Sequence, residues 1–132
     1  MRLPPAPLDR VRVLVIDDDA RYLKSLAVVL MTAEPRLEVA FAENVLDGML
    51  ELGRRPPEVV LLDAYLPGMD GLQLCKRLKS APETAHIAVL AMSGRHSPEL
   101  ETRFLAANAA GFFCKPFQPS AVLSKLSELG LV

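Results

Sequence analysis

Short apolar runs and stretches of helical periodicity alternate five times along the chain. The runs are Val11-Arg-Val-Leu-Val-Ile16, Leu37-Glu-Val-Ala-Phe41, Val59-Val-Leu-Leu62, Ile87-Ala-Val-Leu-Ala91 and Phe112-Phe-Cys114. Runs of this length between turn residues read as strands buried on both faces, the habit of a parallel sheet. Between them, apolar residues recur every three or four positions. Leu23, Leu26, Ala27 and Leu30 mark a first helix, and Leu46, Met49, Leu50 and Gly53 a second. Leu72, Cys75 and Leu78 lie on one stripe of a third helix. Leu100, Phe104 and Leu105 are expected to face inward from a fourth, and Val122, Leu126 and Leu129 to share one side of a fifth. Strands alternating with helices predict an α/β fold with a parallel sheet and right-handed crossovers.

The punctuation agrees. Glu34-Pro35 closes the first helix and Pro56-Pro57 the second. Leu66-Pro67-Gly68-Met69 suits a type II turn, with Pro at its second place and Gly free to take positive φ at its third. Asp70 is placed to cap the third helix with Gln73 as reciprocal partner. Ser97 and Pro98 open the fourth helix, Pro119 and Ser120 the fifth. Residues 1–10 are Pro-rich and read as a lead-in, leaving 11–132 as one domain.

The 132 residues are enough to bury roughly 68% of the unfolded surface. A formal charge of −1 provides no global field toward nucleic acid or an anionic membrane. No apolar run approaches the ~20 residues of a membrane span, and the first ten residues lack an apolar signal core, so a cytoplasmic protein is expected. Cys75 and Cys114 have no metal or redox spacing and read as free thiols.

The chemistry collects at strand ends. Asp17-Asp18 follows the first strand, Asp63 the third, Ser93 the fourth and Lys115 the fifth. In a parallel sheet these ends share one edge, where ligands bind in open α/β folds. Three clustered carboxylates call for a cation, and oxygen-only ligands favour a hard ion such as Mg²⁺. Lysine and a hydroxyl opposite them complete a site for a phosphoryl group. A carboxylate can act as nucleophile and form an acyl phosphate. Taken singly, each group has a plainer reading: Asp17-Asp18-Asp19 as a helix cap, Asp63 as a turn residue, Ser93 as a strand-end cap, Lys115 as a solvated lysine, and Phe112 as core. His86 and His96 have no ligand spacing.

Ile16-Asp17-Asp18, Leu62-Asp63-x-x-x-Pro67-x-Met69-Asp70-Gly71, Met92-Ser93-Gly94 and Phe112-x-x-Lys115-Pro116-Phe117 together resemble the receiver domain of two-component response regulators, in order and spacing, from about Val11 to Leu129. The resemblance implies a flavodoxin-like, doubly wound sheet of five parallel strands, order 2-1-3-4-5, with five helices. It implies Asp63 as phosphoacceptor, taking its group from a histidine kinase or phosphotransfer protein, and a downstream partner reading the switched surface. It assigns Mg²⁺ directly to Asp18, Asp63 and the backbone carbonyl of Tyr65, with Asp17 binding it through water or helping to position it. Ser93 and Lys115 would bind phosphoryl oxygens, Phe112 would be the switch aromatic, and Lys115-Pro116 would be cis. The chain would be no enzyme beyond its own phosphorylation and dephosphorylation, and would not contact nucleic acid directly. Two alternatives stand beside this: a receiver-like interaction module that is not phosphorylated, and an aspartate-nucleophile phosphatase. The latter wants a second acid two residues after the nucleophile, where Tyr65 stands. Ala110 and Gly111 replace acids that in one DNA-binding subfamily support a dimer over the fourth and fifth helices, which speaks against that dimer here.

Overall fold

The structure, a computed structural model, describes residues 10–66, 68–95 and 97–132. The expectations for residues 1–9, for Pro67 in the turn and for His96 lie outside the described residues. Seven strands and five helices follow in order: β1 (Val11–Ile16), α1 (Arg21–Ala33), β2 (Leu37–Ala42), α2 (Val45–Arg54), β3 (Val59–Asp63), β4 (Tyr65–Leu66), β5 (Met69–Asp70), α3 (Gly71–Ser80), β6 (Ala88–Ser93), α4 (Pro98–Ala106), β7 (Gly111–Cys114) and α5 (Pro119–Glu128).

The five long strands form one parallel sheet in the order β2-β1-β3-β6-β7. With the two-residue strands β4 and β5 set aside, this is the expected 2-1-3-4-5 order. Those two form an antiparallel hairpin of their own, closed through Gly68 at φ 84°, so the predicted turn is joined by a pairing that four residues are too few to announce.

Alternation along the strands splits the core in two. Leu14, Ile16, Val60, Leu62, Val89 and Ala91 point to one face and pack with Leu52, Leu74, Leu78 and Phe104 of α2, α3 and α4. Val13, Val15, Val59, Leu61, Leu90 and Met92 point to the other, against Leu23, Leu26 and Leu30 of α1 and Val122 and Leu126 of α5. Both faces are therefore covered, which is why the strands read as unbroken apolar runs.

Three helix faces differ from expectation. On α2, Leu46, Met49 and Leu50 are exposed, and the inward residues are Gly48 and Leu52. The reason is distance: a Cβ on Gly48 would lie 2.7 Å from Ile16 Cδ1, so this helix sits too close to β1 for a side chain there. On α4, Phe104 is fully buried but Leu105 is exposed. Leu129 lies past the last turn of α5 as its C-cap and faces solvent.

Both final helices end in Schellman motifs. Asn108 (φ 68°) and Gly130 (φ 75°) take the left-handed conformation. Ala109 and Leu131 N–H groups donate back to the Phe104 and Leu126 carbonyls at 2.9 Å. The first of these ends releases the chain directly into β7, and so fixes where Lys115 emerges.

Candidate functional site

The site is built where the sheet order reverses. β1 and β3 are neighbours whose connections leave toward opposite sides, which opens a crevice at their carboxyl ends. Asp17 directly follows β1, its N–H held by the Ala42 carbonyl at 3.0 Å. Asp63 is the last residue of β3, and the Ala64 N–H after it is tied to the Met92 carbonyl at 2.8 Å. Rigid strands thus set both acids. Asp17 is wholly buried, Asp63 nearly so, and Asp18 faces solvent.

Lys115 comes from the far strand. It follows β7, with its N–H on the Ser93 carbonyl at 2.7 Å, and the Lys115–Pro116 peptide is cis. Its ammonium donates to Asp17 Oδ2 at 2.5 Å and to Asp63 Oδ2 at 3.0 Å. The remaining carboxylate oxygens accept backbone donors: Asp17 Oδ1 from the Asp19 N–H, Asp63 Oδ1 from the Tyr65 N–H, both at 2.9 Å. Burial raises the Asp17 carboxyl above its ordinary range, against the lowering effect of the Lys115 and Asp19 bonds. For Lys115, burial works to lower the amine, but the bonds to Asp17 and Asp63 outweigh it and raise the amine above the usual lysine range.

One carboxylate oxygen from each of Asp17, Asp18 and Asp63 lies within 4.8 Å of the other two. One ammonium cannot balance three carboxylates. The donors are all hard oxygens, and Asp18 closes the cluster on its solvent side, so the set fits a hard divalent cation.

The other expected residues are less simply placed. Ser93 is buried at the end of β6, but its hydroxyl is turned to its own loop. It donates to the Arg95 carbonyl at 3.0 Å and accepts the Arg95 N–H at 3.1 Å. The Tyr65 side chain is exposed. Phe112 is partly buried on the α4 side, its ring 5.9 Å from that of Phe104. Asp70 does cap α3, through the Leu72 N–H at 2.9 Å. His86 is exposed.

Two residues not singled out by motif also border the site. Arg95 lines an open cleft of about 560 Å³ together with Asp63, Tyr65, Gly94 and Lys115. Its place two residues after Ser93 is the only signal in the sequence. Tyr22 of α1 sets its ring edge-on to Phe117, at 6.0 Å, and its hydroxyl is buried without a partner among the described residues. Burial pushes this phenol up to about 12. Nothing in the periodicity of α1 separates it from the stripe it adjoins.

The sequence pattern of the response regulator receiver domain matches residues 13–127, nearly the whole chain. The chain belongs to this family. Crystal structures agree with the receiver assignment: the signal receiver domain of a DNA-binding response regulator (merR) from Colwellia psychrerythraea is 32% identical, with a TM-score of 0.84 over 91% of this chain and 98% of that one. A putative response regulator from Chloroflexus aurantiacus is 26% identical, with a TM-score of 0.82 over 91% and 97%. Among curated proteins, the receiver is 35% identical to protein-glutamate methylesterase/protein-glutamine glutaminase 5 of Myxococcus xanthus, over 91% of this chain and 34% of that protein. It is 30% identical to the phosphate regulon transcriptional regulatory protein PhoB of Pseudomonas aeruginosa, over 89% and 50%. It is 31% identical to the response regulator PleD of Caulobacter vibrioides, over 89% and 26%. The receiver thus spans between a quarter and a half of these relatives' lengths. Membership places it in two-component signalling. No helix among the described residues is long and apolar enough to cross a membrane.

Proposed function

We propose that Asp63 is the phosphoacceptor of this receiver, taking a phosphoryl group from a histidine kinase or phosphotransfer protein. The observation that carries the reading is the Lys115 ammonium bridging Asp17 and Asp63 at the end of a rigid strand, beside an open cleft. A carboxylate oxygen of Asp63 attacks phosphorus. The O–P bond forms, the donor's N–P bond breaks, and the leaving imidazole takes a proton. Asp17, Asp18 and Asp63, with the Tyr65 carbonyl, would hold Mg²⁺, which when bound neutralises the oxygens of the group in transfer. Lys115 keeps a charged donor in reach of the new group, whose added charge of about −1.5 to −2 draws it further. Ser93 turns from its loop to donate to a phosphoryl oxygen. Phe112, packed on Phe104, follows that loop and changes the surface offered to an output domain or protein. The chain's own chemistry ends with its phosphorylation and dephosphorylation.

Incubation with acetyl phosphate and Mg²⁺ is expected to add one phosphoryl mass to the intact protein, and EDTA to prevent it. Uptake undiminished by EDTA excludes the metal, and no uptake from any donor removes the phosphoacceptor reading.

Because a cation binds the folded cluster and not the unfolded chain, Mg²⁺ should raise the melting temperature in step with ln(1 + [Mg²⁺]/Kd). Asp18→Ala should flatten that response. In the absence of metal the variant should melt no lower than the parent, because one repelling carboxylate is gone. Calorimetry across a Mg²⁺ titration checks both, and an unchanged slope in Asp18→Ala rules Asp18 out as a ligand.

A further inference from the structure

Three of the eight exposed large apolar side chains among the described residues sit on one ten-residue helix. On α2, Leu46 is 70% exposed, Leu50 59% and Met49 46%. At spacings of three and four residues they form one stripe, which Gly53 continues with open space where a Cβ would be. The helix turns Gly48 and Leu52 to the sheet and carries a second apolar stripe toward solvent, where an ordinary amphipathic surface helix is polar. The charges beside the stripe are also ordered. Asp47 stands in the first turn and Arg54 in the last, seven residues apart on one flank, and the Arg54 side chain is 77% exposed, 3.9 Å from Glu51. Glu51 is set back toward the sheet on that flank, its side chain mostly covered.

A two-fold axis passing beside the apolar stripe, level with the middle of α2, lays the helix antiparallel on its own copy. Such an axis brings like flank to like flank, so Asp47 of each copy meets Arg54 of the other, and opposite helix ends lie side by side. We propose that α2 is a self-docking surface. Two copies of this chain pair through Leu46, Met49 and Leu50, and reciprocal Asp47–Arg54 contacts fix the antiparallel register. A single short helix covers less than the ~800 Å² per partner of a standard interface, so the dimer is weak and forms with rising concentration. The pairing does not depend on the chemistry proposed for Asp63.

Sedimentation velocity of the full chain, from micromolar to millimolar concentration, tests it. The sedimentation coefficient should climb toward that of a dimer. Leu50→Glu should hold the protein monomeric throughout, with unchanged far-ultraviolet circular dichroism; Leu46→Glu serves if that variant fails to fold. Arg54→Asp alone should weaken association about tenfold, and Asp47→Arg added to it should restore association. A protein monomeric at every concentration overturns the proposal, as does a dimer indifferent to both glutamate variants. A charge exchange that fails to restore association overturns the antiparallel register.

Discussion

The Asp63→Asn protein should leave incubation with acetyl phosphate and Mg²⁺ at its unmodified mass, yet fully folded. The swap is nearly isosteric, so no cavity opens. The amide oxygen of the substituted side chain can still accept the Tyr65 N–H that Asp63 Oδ1 takes at 2.9 Å. Lys115 keeps its bond to Asp17. What is lost is one charge-assisted bond of 3.0 Å, worth about 1.5–3 kcal/mol, and the amide NH2 in place of Oδ2 makes the Lys115 ammonium turn from it toward Asp17. Against it stands relief of the repulsion among three carboxylates within 4.8 Å. The melting temperature should therefore move little, while the nucleophile is gone, because an amide oxygen does not form the acyl phosphate. Intact mass beside a thermal melt separates the two effects. Labelling that persists moves the acceptor to another residue.

Gly71→Ala should be far more costly than its size suggests. Gly71 is the first residue of α3 and is buried against the end of β3. A Cβ there would lie 2.5 Å from the Asp63 carbonyl oxygen and 3.0 Å from Ala64 Cα. Both are backbone and cannot swing aside, so the helix must retreat or the Asp63–Ala64 segment must shift. Overpacking of this kind costs about 1–3 kcal/mol, a fall in melting temperature on the order of 5–10 °C for a domain this size. Phosphoryl uptake should slow as well, since the displaced residue is the proposed acceptor. Gly48→Ala provides the milder comparison: its Cβ would press at 2.7 Å on Ile16 Cδ1 and at 3.1 Å on Cγ1, side-chain atoms rather than backbone. Urea melts of both variants check the contrast. A Gly71→Ala protein as stable as the parent would mean that α3 is not seated on the strand end.

The sheet and most of the site were legible because they depend on strand ends. Asp17, Asp63, Ser93 and Lys115 each end or follow an apolar run, and a parallel sheet brings such ends to one edge whatever the loops do. Helix faces were harder. Periodicity locates a stripe but not its direction, and on α2 the stripe of Leu46, Met49 and Leu50 faces outward because Gly48 lets the backbone lie almost on Ile16. Leu105 stands about 100° around the helix from the buried Phe104 and so off the covered side, and Leu129 continues a spacing past the last turn of α5. Arg95 and Tyr22 reach the site from a loop and from a neighbouring helix, through contacts that no local pattern encodes.

A serine hydroxyl carries a single proton. In Ser93 that proton is committed to the Arg95 carbonyl, while the oxygen receives the Arg95 N–H. The loop after β6 is thereby fastened at both ends of one two-residue step. In the role proposed for Ser93, an acceptor held on Asp63 competes for the same proton, and if it wins, the fastening is undone. Loop closed on itself and hydroxyl given to the pocket are therefore mutually exclusive conditions, and occupancy at one atom becomes an either-or choice for a stretch of backbone several residues long.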